Sequence, residues 1–175
     1  MPTPRTLVLA AAALAAAVSF ASGRPAQSET VKCIVSGKDV EVTDKTPSVS
    51  VNGQKSYFCC MNCPKAFAKE PEKYVKTAGN CPMNKAGAAK IGKESRVILN
   101  NNLFYFCCAN CPKAFAADPS KGAKELTDAV TKKPFAPKTD SARSTHEGQL
   151  YVFATPENKA EFDKEPAKYA VIYAK

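Results

Sequence analysis

Eight cysteines fall on one pattern that is used twice. Cys33, Cys59, Cys60 and Cys63 are followed 48 residues later by Cys81, Cys107, Cys108 and Cys111, so each block has a lone cysteine 26 residues ahead of a CCxxC cluster. The stretch from Tyr57 to Ala68 (YFCCMNCPKAFA) returns from Tyr105 to Ala116 as YFCCANCPKAFA with one change. Four sulfurs per unit suit a soft ion of low coordination number, and Zn2+ and Cu+ are the leading candidates because both accept thiolates. Hard cations are disfavoured, since no carboxylate cluster accompanies the motif. Apart from the initiator, the methionines are Met61, inside the first cluster, and Met83, two residues after Cys81. A thioether beside thiolates tilts the choice toward Cu+, while the alternative is that both methionines fill irregular apolar gaps.

Two other chemistries compete for the same cysteines. An even number of thiols in an oxidising compartment is compatible with a disulfide-stapled structural or interaction protein without metal, although adjacent cysteines such as Cys59 and Cys60 bridge each other only with strain. The sequences from Cys60 to Cys63 and from Cys108 to Cys111 are also C-x-x-C dithiols at expected helix starts, the arrangement of a thiol-disulfide redox protein. Against this, a thioredoxin-like βαβ fold needs about twice the length of one unit. Hydrolytic and phosphoryl-transfer catalysis lack machinery: the one histidine, His146, lies outside both clusters, and there is no glycine-rich phosphate loop. The expectation is a non-enzymatic protein.

The elements that must position the thiols repeat with them. In the first unit, residues 31–75, Ser48 to Val51 alternates, Asn52-Gly53 supplies a tight turn, and Gln54 to Phe58 alternates back, a hairpin that delivers Cys59 and Cys60 to a strand end. Pro64 suits the first helical position, and a short helix follows, stopped around Glu70-Pro71. Cys63 is thereby expected at a helix N-terminus, where the dipole favours a thiolate of lowered pKa. Phe67 and Tyr74 read as core. The second unit, residues 79–122, repeats the plan with strands at Arg96 to Leu99 and Leu103 to Phe106 around an asparagine turn. Residues 123–143, rich in Lys, Thr and Pro, read as a linker with a helix from Ala123 to Thr131. Residues 144–175 read as a third, cysteine-free copy: a shift of 95 residues places Phe58 on Phe153, Phe67 on Phe162 and Tyr74 on Tyr169, with Ala154, Thr155 and Asn158 at the cysteine positions.

The lone cysteine, the hairpin ending in YFCC, the C-x-x-x-F step, the proline and the tyrosine together resemble the YHS and TRASH families of small metal-binding modules. Cys33, Cys59, Cys63, Phe67, Pro71 and Tyr74 fall on that template, as do Cys81, Cys107, Cys111, Phe115 and Pro119. The resemblance implies a small α+β fold of tandem treble-clef-like units, each a knuckle, a β-hairpin and a short helix, and a role in heavy-metal sensing, trafficking or resistance. In that family the knuckle offers two cysteines, whereas Ser36 and Asn84 stand at the second position here and Cys60 and Cys108 appear beside the strand-end ligand. Either the adjacent cysteine is the fourth ligand, or the site is three-coordinate and open.

Units of this size rarely hold themselves together by an apolar core alone, so part of the role of the clusters is expected to be structural. The N-terminus has Arg5, an apolar run from Leu7 to Phe20 and small residues through Ala21, a secretory signal over residues 1–21 followed by a polar linker, 22–30. The run is too short to span a bilayer, so no stable membrane span is expected after cleavage. The protein is read as exported, periplasmic or extracellular. Its net charge of +9 is spread over lysines without an arginine cluster, which disfavours nucleic acid as a partner. Partners are then soft metal ions and a metal transporter or other exported metal-handling protein.

Overall fold

A computed structural model describes residues 29–171 and 173 of the 175-residue chain. The expected signal segment and most of the polar linker lie outside the described residues. Among those residues, no helix is long and apolar enough to cross a membrane. The fold is a small mixed α+β structure with several sheets and few helices, built from three copies of one plan.

In the first copy a knuckle of β1 (Thr30–Lys32) and β2 (Asp39–Glu41) precedes the hairpin β3 (Ser48–Val51) and β4 (Gln54–Tyr57), then α1 (Asn62–Lys69) and α2 (Pro71–Tyr74). The second copy has β5 (Asn80–Cys81), β6 (Asn84–Ala88), the hairpin β7 (Arg96–Leu99) and β8 (Asn102–Tyr105), and α3 (Asn110–Ala117), ending in a 3-10 turn at Pro119–Lys121. Both hairpins and both helices stand where the alternation and turn residues predict, with the helices starting two residues ahead of Pro64 and Pro112. Asn52 and Asn100 take positive φ at the turns, a conformation asparagine tolerates better than most residues.

The third copy is more complete than the sequence suggests. The stretch expected to be a linker with a helix forms instead a second-copy-like knuckle, β9 (Leu126–Thr127) paired with β10 (Pro134–Phe135), and no helix. It is followed by the hairpin β11 (Arg143–His146) and β12 (Gln149–Val152), then α4 (Pro156–Lys164) and α5 (Pro166–Tyr169). A shift of 95 residues carries the pair Val31–Val40 of the first knuckle onto Leu126–Phe135 of the third, and both pairs are in register across their strands. The apolar Leu126 and Phe135 are buried and half-buried against the second copy's core, which favours the hairpin over an isolated short helix.

The three hairpins join edge to edge in one six-stranded sheet of order β11-β12-β7-β8-β3-β4. Neighbouring hairpins touch through single parallel pairs, Val51 with Leu103 and Leu99 with Leu150. Such short pairings are reinforced by the turn asparagines. Asn52 accepts from the Tyr105 N–H (2.7 Å) and donates to the Tyr105, Ala78 and Asn80 carbonyls. Asn100 repeats the clasp one copy along, accepting from the Val152 N–H (2.7 Å) and donating to the Val152 and Thr127 carbonyls. A part-buried ion pair, Arg96 to Glu72 at 2.6 Å, with the Tyr105 hydroxyl also donating to Glu72, ties the second copy to α2.

Each copy has its own aromatic centre beneath the hairpin. Phe58 meets Phe67 at 5.5 Å, Phe106 meets Phe115 at 5.1 Å and Phe153 meets Phe162 at 5.2 Å. In the outer copies a tyrosine closes the stack, Tyr74 and Tyr169, each 6.1 Å from its phenylalanine. The second copy has Gly122 at that place. A Cβ on Gly122 would come within 2.8 Å of the Phe115 ring and 3.1 Å of the Met83 sulfur, so Met83 packs beside the ring where a tyrosine stands in the other copies. Met83 is thus a packing residue.

Candidate metal centre

The knuckle, the strand end and the first turn of the helix converge in each of the first two copies. Cys33 is held by a tight turn in which its N–H donates to the Lys38 carbonyl (2.8 Å) and its carbonyl accepts from Gly37 N–H (2.9 Å), Gly37 supplying the positive φ. Cys59 follows Phe58 off β4, and Cys63 is the second residue of α1. The sulfurs of Cys33, Cys59 and Cys63 all lie within 4.8 Å of one another, and so do those of Cys81, Cys107 and Cys111. All eight cysteines are free thiols; no disulfide is formed.

These spacings fit a metal–thiolate centre. With a zinc–sulfur bond of about 2.3 Å, sulfurs at tetrahedral corners stand about 3.8 Å apart; Cys59 and Cys63 are 3.6 Å apart and Cys107 and Cys111 are 3.8 Å apart. The trios could therefore hold an ion with little rearrangement. Cys60 and Cys108 stand to one side. Each is exposed, and each sulfur comes close to the helix cysteine, 3.5 Å for Cys60 to Cys63 and 3.0 Å for Cys108 to Cys111, without joining the trio. Ser36, at the second knuckle position, faces the trio: its hydroxyl is 3.2 Å from the Cys59 sulfur and its N–H donates to Cys33. Asn84, its counterpart, turns its amide oxygen to the Ala86 N–H instead. Gly87 lets the second knuckle lie against its cysteine, since a Cβ there would be 3.1 Å from the Cys107 sulfur.

The thiols of a trio do not ionise alike. Burial works against ionisation of Cys33, but hydrogen bonds from Ser36 and neighbouring backbone N–H groups outweigh it and bring the thiol down to about 6. Burial and the thiols of Cys60, Cys59 and Cys33 push Cys63 up to about 12. The second trio behaves alike: Cys108 and then burial push Cys111 up to about 12, while Cys81 is lowered, burial being overcome by backbone N–H groups of Cys107 and Met83. The helix-dipole expectation of a lowered Cys63 pKa is thus overturned, because burial, and after it the hydrogen-bonded neighbouring thiols, raise it by more than one helix end lowers it. A trio without a cation keeps a proton on its helix cysteine, and a bound ion must displace it.

The third copy replaces this centre by a hydrogen-bonded carboxylate. Asp128 takes the place of Cys33, with the same turn: its N–H donates to the Lys133 carbonyl (2.9 Å), its carbonyl accepts from Lys132 N–H (3.0 Å), and Lys132 takes the positive φ of Gly37. The side chain, 0% exposed, accepts through Oδ1 from Val130 and Thr131 N–H and through Oδ2 from Ala154 N–H and the Asn158 amide. Ala154 and Asn158 are the counterparts of Cys59 and Cys63. Burial opposes ionisation of Asp128, yet these donors hold its pKa below the usual carboxylate value. Asp128 is the residue that sequence reasoning missed, although the 95-residue shift that aligns the hairpins also aligns Cys33 with Asp128. His146, outside both clusters, is half-buried with its ring 6.4 Å from Phe162.

In comparison with known proteins, no family model, no curated protein and no solved structure matches the chain. The chain's own residues form two clusters of three cysteines at metal-binding distance and a third, cysteine-free copy of the same frame.

Proposed function

We propose that this is an exported, non-enzymatic protein of YHS/TRASH type whose first two units, treble-clef-like in plan, each hold a thiophilic ion, Cu+ or Zn2+, for metal buffering, trafficking or sensing. The observation that carries the reading is the pair of sulfur trios, each assembled from knuckle, strand end and helix start with spacings of a metal–thiolate centre. The ion is treated as cargo. Its charge would offset that of three thiolates, which otherwise cannot all ionise at neutral pH. The exposed rims of the sites leave room for an exported metal-handling partner, such as a transporter.

The test is metal content together with free-thiol count on protein isolated from its native compartment without added metal or reductant. Close to two soft ions per chain, with thiols that react only after chelation, is the expected result. Cys63→Ser and Cys111→Ser should each remove one equivalent, because each takes the helix ligand from one trio. Metal-free protein with no reactive thiols would overturn the reading in favour of a disulfide scaffold.

A further inference from the structure

Cys60 and Cys108 stand outside the trios and are nevertheless present in both copies. Their counterpart in the third copy is Thr155, whose hydroxyl accepts from Asn158 N–H and caps α4. The first turns of α1 and α3 have no such side-chain cap. A capping hydroxyl stabilises a helix by about 1 kcal/mol, so both metal-competent copies carry a thiol where a better structural residue is available. All four cysteines are absent together from the third copy, which ties the outer thiol to the trio. Exposure is graded along the same line, from Cys33 and Cys81, at 2% and 1%, to the exposed Cys60 and Cys108. In the first copy Met61, 71% exposed, extends the series of soft donors into solvent. The second copy has Ala109 there and keeps its methionine, Met83, inside.

Resting on the metal-binding reading above, we propose that Cys60 and Cys108 are exchange thiols, through which a soft metal cargo passes between the buried trio and an external thiol or thioether donor. Each outer sulfur is within 3.5 Å of the helix cysteine, so the pair can share the ion while an inner bond opens. One metal–sulfur bond forms as one breaks, the proton of the outer thiol moves to the departing cysteine, and the metal keeps its oxidation state. Met61 gives the first site an additional neutral sulfur at its mouth, which favours faster exchange there.

The experiment loads the full chain with Zn2+ and follows its transfer to a small dithiol competitor by stopped flow, with stoichiometry measured on the same samples. For Cys60→Ser/Cys108→Ser the expected result is an unchanged two ions per chain and transfer slowed about tenfold, the scale on which groups next to metal ligands act. Met61→Leu should slow the first site alone. If the double variant loses bound metal, the outer cysteines are permanent ligands and the proposal fails. If it binds and releases at the wild-type rate, they are bystanders and it fails equally. Wild-type protein that takes up no zinc would overturn the metal reading itself, a failure that the wild-type stoichiometry reveals before any rate is compared. Helical and sheet circular dichroism of the variants checks that both remain folded, as the exposure of the substituted side chains leads one to expect.

Discussion

The first and third units close one frame with two chemistries. Around Cys33 the frame is held by three thiols that repel one another when ionised and so call for a cation. Around Asp128 it is held by a single carboxylate with four N–H donors, which is complete in itself. The knuckle turn, the hairpin and the aromatic pair are common to both. The difference therefore separates what the fold needs, a bridge between knuckle and helix start, from what metal handling needs, sulfur at those same points. The third unit, closed by hydrogen bonds among its own groups, is the neighbour against which the second docks.

The strongest test of that comparison is to interconvert the centres. Asp128→Cys/Ala154→Cys/Asn158→Cys should raise the metal content by one ion per chain, measured on the loaded protein, and should make the third unit's stability depend on metal. The reverse loss, Asp128→Ala, leaves four buried or part-buried donors without their acceptor and should cost about 3 kcal/mol in chemical denaturation, since hydrogen bonds to a charged group contribute about 1.5–3 kcal/mol each and some donors will recruit water. That cost should be the same with and without metal; metal rescue would show the third unit is not independent.

A smaller effect is expected at the clasps that join the copies. Asn100→Ala removes three hydrogen bonds at a residue 3% exposed and should destabilise by about 2 kcal/mol. Asn52→Ala, at a half-buried position, should cost less. Hydrogen exchange of the Val152 and Tyr105 amides is the site-specific readout, and protection at Val152 that survives Asn100→Ala would rule out the clasp as the joint.

The smallest effect is on proton release. In the first trio Cys63, at about 12, must give up its proton to metal throughout the neutral range. Cys33, at about 6, is already ionised at pH 8 and becomes protonated as pH falls through 6. Apparent metal affinity should therefore fall with decreasing pH, and the number of protons released per ion at the first site should rise by one between pH 8 and pH 5. Titration calorimetry in buffers of different ionisation enthalpy measures that number, and a constant count across the range would contradict the assigned ionisation of Cys33.

Much of the scaffold was legible in the chain because its signals are local. Alternation around Asn52-Gly53 and the proline-flanked helices specify hairpin and helix within a few residues. The trio was legible through duplication, since Cys33, Cys59 and Cys63 recur at one spacing. The third knuckle was hidden because its two strands are two residues each and the surrounding lysines, threonines and prolines imitate a linker; only long-range packing of Leu126 and Phe135 makes it a hairpin. The helix end is a local signal, whereas the ionisation of Cys63 depends on burial and on thiols brought together from the knuckle and the strand end. Nor does adjacency reveal that Cys59 turns inward and Cys60 outward at the strand end.

The clasps also give the molecule a direction of growth. Asn52 grips the Tyr105 carbonyl and Asn100 the Val152 carbonyl, whereas their counterpart in the first copy, the Tyr57 carbonyl, already accepts from the Ile34 N–H. At the opposite side Glu147 occupies the turn position of Asn52 and Asn100, and a carboxylate cannot both accept from an N–H and donate to a carbonyl. An additional hairpin would meet an already engaged Tyr57 carbonyl at β4, and at the third turn a carboxylate that cannot donate. Lengthening of this protein by duplication is thus favoured in its interior, where an asparagine turn clasps the strand of the next copy, and copies of the middle unit are the ones that can be multiplied without rebuilding either flank.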